Sequence, residues 1–211
     1  MARYSKQETL KLKKHILEVT EKIIRENGNA EMTMRGLAKT ANVSPTTAYN
    51  IFGSKRQLLI DVLVQDFLTD VMTLQIFSSP SDSLMEMFGH IDKIESAVMP
   101  KEKFVKALIT GVIQCSDEIN TQHISALMQG AATGWVTQKI TDKLLAKDTD
   151  ITFLSQQLAA SVAGHLFLWV SNSIPSNEIK KRIQYVIATH VFVHATVKQR
   201  PAIQKILKEI N

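Results

Sequence analysis

Cysteine is almost absent from this 211-residue chain: Cys115 is the only one. One thiol excludes an intramolecular disulfide framework and any multi-cysteine zinc or iron–sulfur site. Glycine and proline are scarce as well, at eight and five residues, which leaves little material for the many turns of a β-rich fold. Long apolar runs are missing too. The most apolar stretch, residues 158–170, is thirteen residues and includes His165. Crossing a bilayer takes about 20 apolar residues, so this stretch predicts a buried helix. Residues 1–12 are polar and carry no secretory apolar segment. The expected setting is cytoplasmic, with no membrane partner.

What is present suits a folded domain. Hydrophobic residues make up 45% and charged residues 21%, and this length buries a sizeable core unaided. The net charge of +5 is unevenly placed. Residues 1–60 hold eleven Lys/Arg against five acids, an excess of +6, while the rest of the chain carries −1. Such a segment is either a polyanion-binding module or a solvated, lysine-rich helix face. Charge alone leaves both open.

Apolar spacing is helical almost throughout, without sustained alternation. Ser5 and Glu8 form a capping box, followed by the stripe Leu12, Ile16, Val19 and Ile23, up to Asn27-Gly28. A short helix begins at Thr33, and Asn42-Val43 interrupts it. Ser44-Pro45 starts a third helix that ends near Phe52-Gly53. Ser54 and Gln57 form a second box, opening a helix through Leu58, Leu59, Val62 and Phe67, which Ser78 to Asp82 stops. Further helices are predicted over 83–97, 101–115, 120–146, 152–173 and 177–199, with a short tail after Pro201. The fold class is all-α, with ten helices.

Residues 33–55 carry the chemistry. Two short helices joined by a tight turn, with Ala38 and Ala41 at their crossing, make a helix-turn-helix. In that motif the second helix enters the major groove. Here it offers Ser44, Pro45, Thr46, Thr47, Tyr49 and Asn50. Thr33, Arg35 and Lys55 stand at starts of the neighbouring helices, where free N–H groups favour phosphate.

The stretch MRGLAKTANVSPTTAYNIFGSKRQLL, residues 34–59, resembles the N-terminal DNA-binding region of TetR-family transcriptional regulators. The resemblance covers roughly the first 60 residues. It departs from the usual pattern at Ala48, where a bulky aliphatic residue is common, and at Ile51, where histidine is common. It implies an N-terminal three-helix DNA-binding domain, residues 1–54, and a C-terminal helical ligand-binding and dimerisation domain, residues 55–211. Family members are typically homodimeric repressors on palindromic operators in double-stranded DNA, released by a small-molecule effector. The two recognition helices must then sit about one DNA turn apart, roughly 34–36 Å. A ligand favouring another spacing releases the DNA.

The resemblance assigns dimerisation to the last two long helices, where Leu158, Ile183, Val186, His190, His194 and Val197 are the expected interface residues. The alternative is that both helices merely close the monomer core. For the ligand pocket the candidates are Phe88, Phe104, Met128, Trp135, His165 and Trp169, apolar and polarizable side chains that ordinary core packing would also use. The absence of charge deep in these runs favours a neutral, apolar ligand. His190 and His194 have i, i+4 spacing but no evident third ligand, and Cys115 reads as a small core residue. No catalytic constellation, glycine-rich phosphate loop or cofactor motif stands out, so no enzyme activity, metal or cofactor is expected. The competing readings are a helical protein-interaction module, or an enzyme with a basic arm that does not read DNA sequence.

Overall fold

A computed structural model describes residues 5–27, 32–65, 83–115 and 121–210, apart from the side chains of 121–125 and 127. Among the described residues there are ten α-helices and no strand. They are α1 Lys6–Asn27, α2 Met34–Thr40, α3 Pro45–Phe52, α4 Lys55–Leu63, α5 Glu86–Val98, α6 Glu102–Gln114, α7 Thr121–Thr141, α8 Ile151–Val170, α9 Ser176–His194 and α10 Arg200–Ile210. The all-α expectation holds. Gly28, Phe67 and the Ser78 to Asp82 stop lie outside the described residues.

The helices sort into two compact units. The first contains α1 to α4 together with α6, although some 40 residues of chain separate α4 from α6. Its core gathers Ile16, Leu17 and Ile24 of α1, Leu37 and Ala38 of α2, Ala48 and Phe52 of α3, and Leu58, Leu59 and Val62 of α4. Helix α6 packs on α4 and α1 and buries Phe104, Val105, Leu108 and Val112. Two cations fasten it. The Arg25 guanidinium lies 4.0 Å from the Phe104 ring centroid, within the range where the ring face attracts a cation. Arg56, 5% exposed, donates from Nε to the Val112 carbonyl at 3.0 Å.

The second unit packs α7 on α8, α8 on α9, and α9 on α5 and α10. Its core includes Phe88, Trp135, Val136, Leu154, Leu158, Ile187, Val191 and Ile203. Lys180 of α9 reaches Glu95 of α5 at 2.7 Å, and hydrogen bonds to that carboxylate raise its pKa above the ordinary lysine value.

Three helices end the same way without glycine. After α2, α7 and α8 the chain turns through Asn42, Lys143 and Asn172, all with φ between 54° and 59°. In each the next residue's N–H reaches back five residues: Val43 to Ala38, Leu144 to Lys139, and Ser173 to Leu168. These bonds satisfy carbonyls that a helix end leaves free. They also explain where the predicted ends shift. Helix α7 closes at Thr141 rather than 146 because Lys143 is left-handed, and α8 closes at Val170, before Ile174-Pro175. Helix α9 stops at His194, short of 199, because the Ala146 N–H and Leu144 carbonyl bond the His194 carbonyl and Thr196 N–H.

Helix α8 departs from the buried helix expected of 158–170. It is 20 residues long, enough by length and composition to cross a membrane, yet its own unit buries only Leu154, Ser155, Leu158 and Trp169.

Candidate nucleic-acid interface

Each helix around the reading segment is started by a hydroxyl. Thr33 Oγ1 accepts the Gly36 N–H at 3.0 Å, Ser44 Oγ accepts the Thr47 N–H at 3.0 Å, and Ser54 Oγ accepts the Gln57 N–H at 3.0 Å. Such caps satisfy donors that would otherwise be orphaned. The Ser5–Glu8 box on α1 closes reciprocally, at 2.7 and 3.2 Å, and the bonds from the Ser5 backbone and side chain hold the Glu8 carboxyl below its ordinary pKa. The Ser54–Gln57 box closes only halfway. The Gln57 amide donates instead to Asp61 at 2.7 Å, and Asp61 also takes Lys13 at 2.6 Å. That carboxylate ties α4 to α1.

The turn between α2 and α3 is short because Asn42 adopts the left-handed conformation at little steric cost. The His15 ring pins its first residue through Nε2 and the Ala41 carbonyl, 3.2 Å apart. Ala48 and Phe52 face the core, which turns Pro45, Thr46, Tyr49 and Asn50 outward. Tyr49 is 48% exposed. Thr47 is half-buried and lies 2.7 Å from the Ser44 hydroxyl, so these two side chains are engaged with one another. Ile51 is also half-buried. Gly53, at φ 73°, ends α3 after two turns.

Charge around this segment is segregated. Residues 40–54 contain no charged side chain, and Lys39 and Lys55 bracket them. Along α1, Lys13, Lys14, Lys22 and Arg25 are matched with Asp61, Glu18, Glu26 and Glu21. Arg56 is buried. Arg35 and Lys39 are exposed and Lys55 half-buried, and among the described residues none of the three forms an ion pair. The positive excess of the N-terminal segment thus divides in two. Most of the helix α1 cations are acid-matched, Lys6 and Lys11 being the exceptions among the described residues, whereas the charge flanking the helix-turn-helix is uncompensated.

The other expected site residues are dispersed. Phe88 and Trp135 share the core of the second unit, and Met128 is half-buried on α7. Trp169, 1% exposed, donates from its indole to Ser176 at 2.9 Å. His165 is engaged with the Ser161 carbonyl at 2.8 Å. Phe104 belongs to the first unit, beneath Arg25. The middle helices are less free of charge than expected: Lys139 is buried on α7, 3.3 Å from Asp142.

Of the expected interface residues, Leu158 is in the core, and Ile183 and Val186 pack against it. His190 bridges α9 to α8, with Nδ1 at the Val186 carbonyl and Nε2 3.4 Å from the Ser161 hydroxyl. His194 is half-buried at the end of α9, and Val197 lies past that end, 82% exposed. The side chains that α8 and α9 do turn outward are others: Phe153, Phe167 and Leu168, then Tyr185 and Val193. Among the described residues no group of three or more His, Cys, Asp or Glu side chains is placed to hold a metal ion.

Residues 16–62 match the model of the bacterial regulatory proteins of the tetR family. The chain is 42% identical over 48 residues to the HTH-type transcriptional regulator BetI of Rhizobium meliloti, a match that spans 23% of this chain and 24% of BetI. Two solved structures share the fold. SmeT of Stenotrophomonas maltophilia, in complex with triclosan, aligns with a TM-score of 0.61 at 14% identity, over 88% of this chain and 92% of that one. A TetR-family transcriptional regulator from Marinobacter aquaeolei aligns with a TM-score of 0.55 at 14% identity, over 94% and 98%. Residues 16–62 therefore belong to the TetR family of bacterial regulatory proteins, and the chain that carries them has the fold of a solved member.

Proposed function

We propose that the protein is a homodimeric transcriptional repressor that binds a palindromic operator and leaves it when a small, apolar effector binds. The observation that carries this reading is the bracketed helix: an exposed, uncharged α3 between cations that no acid of the described chain matches. Phosphates require cations and helix N-termini, whereas base edges are read by neutral hydrogen-bonding groups and methyls. In this division Thr33, Arg35 and Lys55 hold the backbone. The Thr33 hydroxyl accepts its cap bond and keeps its own proton for a phosphate oxygen. Ser44, Pro45, Thr46, Thr47, Tyr49 and Asn50 serve the groove side, and 1–54 form the reading segment of a chain whose remainder senses and dimerises.

Dimerisation is supported by the apolar side chains that α8 and α9 turn to solvent. Phe153 and Phe167 stand on one side of α8 with the exposed, small Ala160 and Gly164 between them. Tyr185, Thr189 and Val193 repeat at every fourth residue along α9. A facing copy of the same stripe is the self-complementary contact that two-fold symmetry requires. The interface we propose lies one helical face away from Leu158, Ile183 and Val186, which serve the core.

An apolar effector is supported by the aromatic interior around Phe88 and Trp135, with Phe104, Met128, His165 and Trp169 as further candidates, and by SmeT, which is solved with triclosan. The test is fluorescence anisotropy with duplex DNA at two salt concentrations, paired with sedimentation analysis. A dimer whose affinity falls steeply with salt supports the reading. A chain that binds no duplex at low salt is an interaction module instead.

A further inference from the structure

We propose that the recognition helix selects A·T base pairs, with Asn50 hydrogen-bonding an adenine edge in the major groove. This rests on the DNA-reading role above and adds the kind of base that α3 reads.

Guanine presents two acceptors in the major groove, N7 and O6, and is read by the paired donors of arginine or by lysine. Neither residue occurs between Lys39 and Lys55. The helix cannot reach further along the groove, because Gly53 ends it and Ser54 already caps α4. Selection therefore falls to Pro45, Thr46, Tyr49 and Asn50, the exposed side chains of α3.

Their chemistry is one-sided. A carboxamide has one donor group and one acceptor, which match N7 and N6–H of adenine in a bidentate pair. Asn50 is exposed, and among the described residues its carboxamide has no partner. The Thr46 methyl and the Pro45 ring are apolar contacts of the kind that meet the thymine C5 methyl. Tyr49 has one O–H, which serves any acceptor and discriminates little. Thr47, the remaining hydroxyl on that side, is already engaged with Ser44 at 2.7 Å.

The experiment is selection of bound duplexes from a random pool with the full chain, repeated with Asn50→Ala and Asn50→Arg. We expect wild type to enrich a half-site in which Asn50→Ala erases the preference at an A·T pair, a loss of roughly five- to a hundredfold. In wild type, 7-deaza-adenine at that position should reproduce the loss, because it lacks N7, and Asn50→Ala should be indifferent to it. Asn50→Arg should move the preference at the same position to guanine. A G·C preference erased by Asn50→Ala, or base preferences identical in all three proteins, overturns the proposal while leaving DNA reading intact. Enrichment of no sequence by wild type overturns the DNA-reading role itself. Asn50 is exposed and its side chain forms no hydrogen bond among the described residues, so unchanged helical content and melting temperature confirm that the variants report on recognition.

Discussion

Helices α3 and α8 both present a face that their own unit leaves uncovered, and the two faces have opposite chemistry. The outward side of α3 is hydroxyl, carboxamide and phenol within an uncharged segment. The outward side of α8 is mainly apolar or small, with Phe153, Ala160, Ala163, Gly164, Phe167 and Leu168 exposed beside the polar Thr152 and Gln156. Neutral polar groups gain little by leaving water for an apolar surface, but they match base edges that are themselves donors and acceptors. Exposed phenylalanines gain by burial, at about 25 cal/mol per Å². One face therefore suits nucleic acid and the other an apolar helix, and the two can be disrupted separately.

The largest effect should come from the apolar face. Phe167→Glu combined with Val193→Glu places charge in the proposed two-fold contact. Each truncated anchor of such an interface is worth about 2 kcal/mol or more. Sedimentation should then show monomers at concentrations where the unaltered chain is dimeric, with helical content unchanged. Persistence of the dimer would move the interface to another face.

Within the first unit, Arg56→Met should cost about 1.5–3 kcal/mol, the range for a hydrogen bond from a charged donor, because it removes the donor to the Val112 carbonyl. Chemical denaturation measures the loss, and the second unit should be unaffected. An equal effect on both units would show that they melt as one.

A smaller effect concerns His90 in the second unit. Burial, reinforced by Lys93, lowers its pKa below the ordinary histidine value, and its Nδ1 is buried without a partner. Lys139 adds to the depression and Glu86 opposes it. The unfolded chain therefore takes up the proton more readily than the folded one. The His90 contribution is intact above the ordinary value, near 6.5, and is lost as pH falls through the lowered one. Melting temperatures at pH 7.5 and 5.0 should differ less in His90→Phe than in the unaltered protein. Smallest of all, Lys143→Gly should raise stability by up to about 1 kcal/mol, since the left-handed Lys143 pays a cost that glycine does not.

The parts of the fold that could be read beforehand are those specified by neighbouring residues. Ser5, Thr33, Ser44 and Ser54 cap their helices through bonds to residues three positions on, so their roles follow from local spacing. The reading helix was legible for the same reason. Helix ends that depend on distant partners were not. The turn after α9 is set by Leu144 and Ala146, about 50 residues earlier, and no composition rule marks Lys143 as left-handed. Arg56 gave no sign of burial, because its partner is a carbonyl 56 residues away. Assigning dimerisation to the last two long helices did not separate the side of α9 that meets its own core from the side left open. Ile183 and Val186 fell on the first, Tyr185 and Val193 on the second.

The central claim is that cations hold the backbone while α3 reads the bases. It is tested most directly by the salt dependence of binding to a selected and a random duplex, before and after Arg35, Lys39 and Lys55 are all changed to alanine. Each lost phosphate contact lowers the slope of log K against log salt by about 0.9. The account predicts a slope smaller by roughly 2.7 on both duplexes, with the ratio of the two affinities preserved. An unchanged slope, or a ratio that collapses to unity, would contradict it.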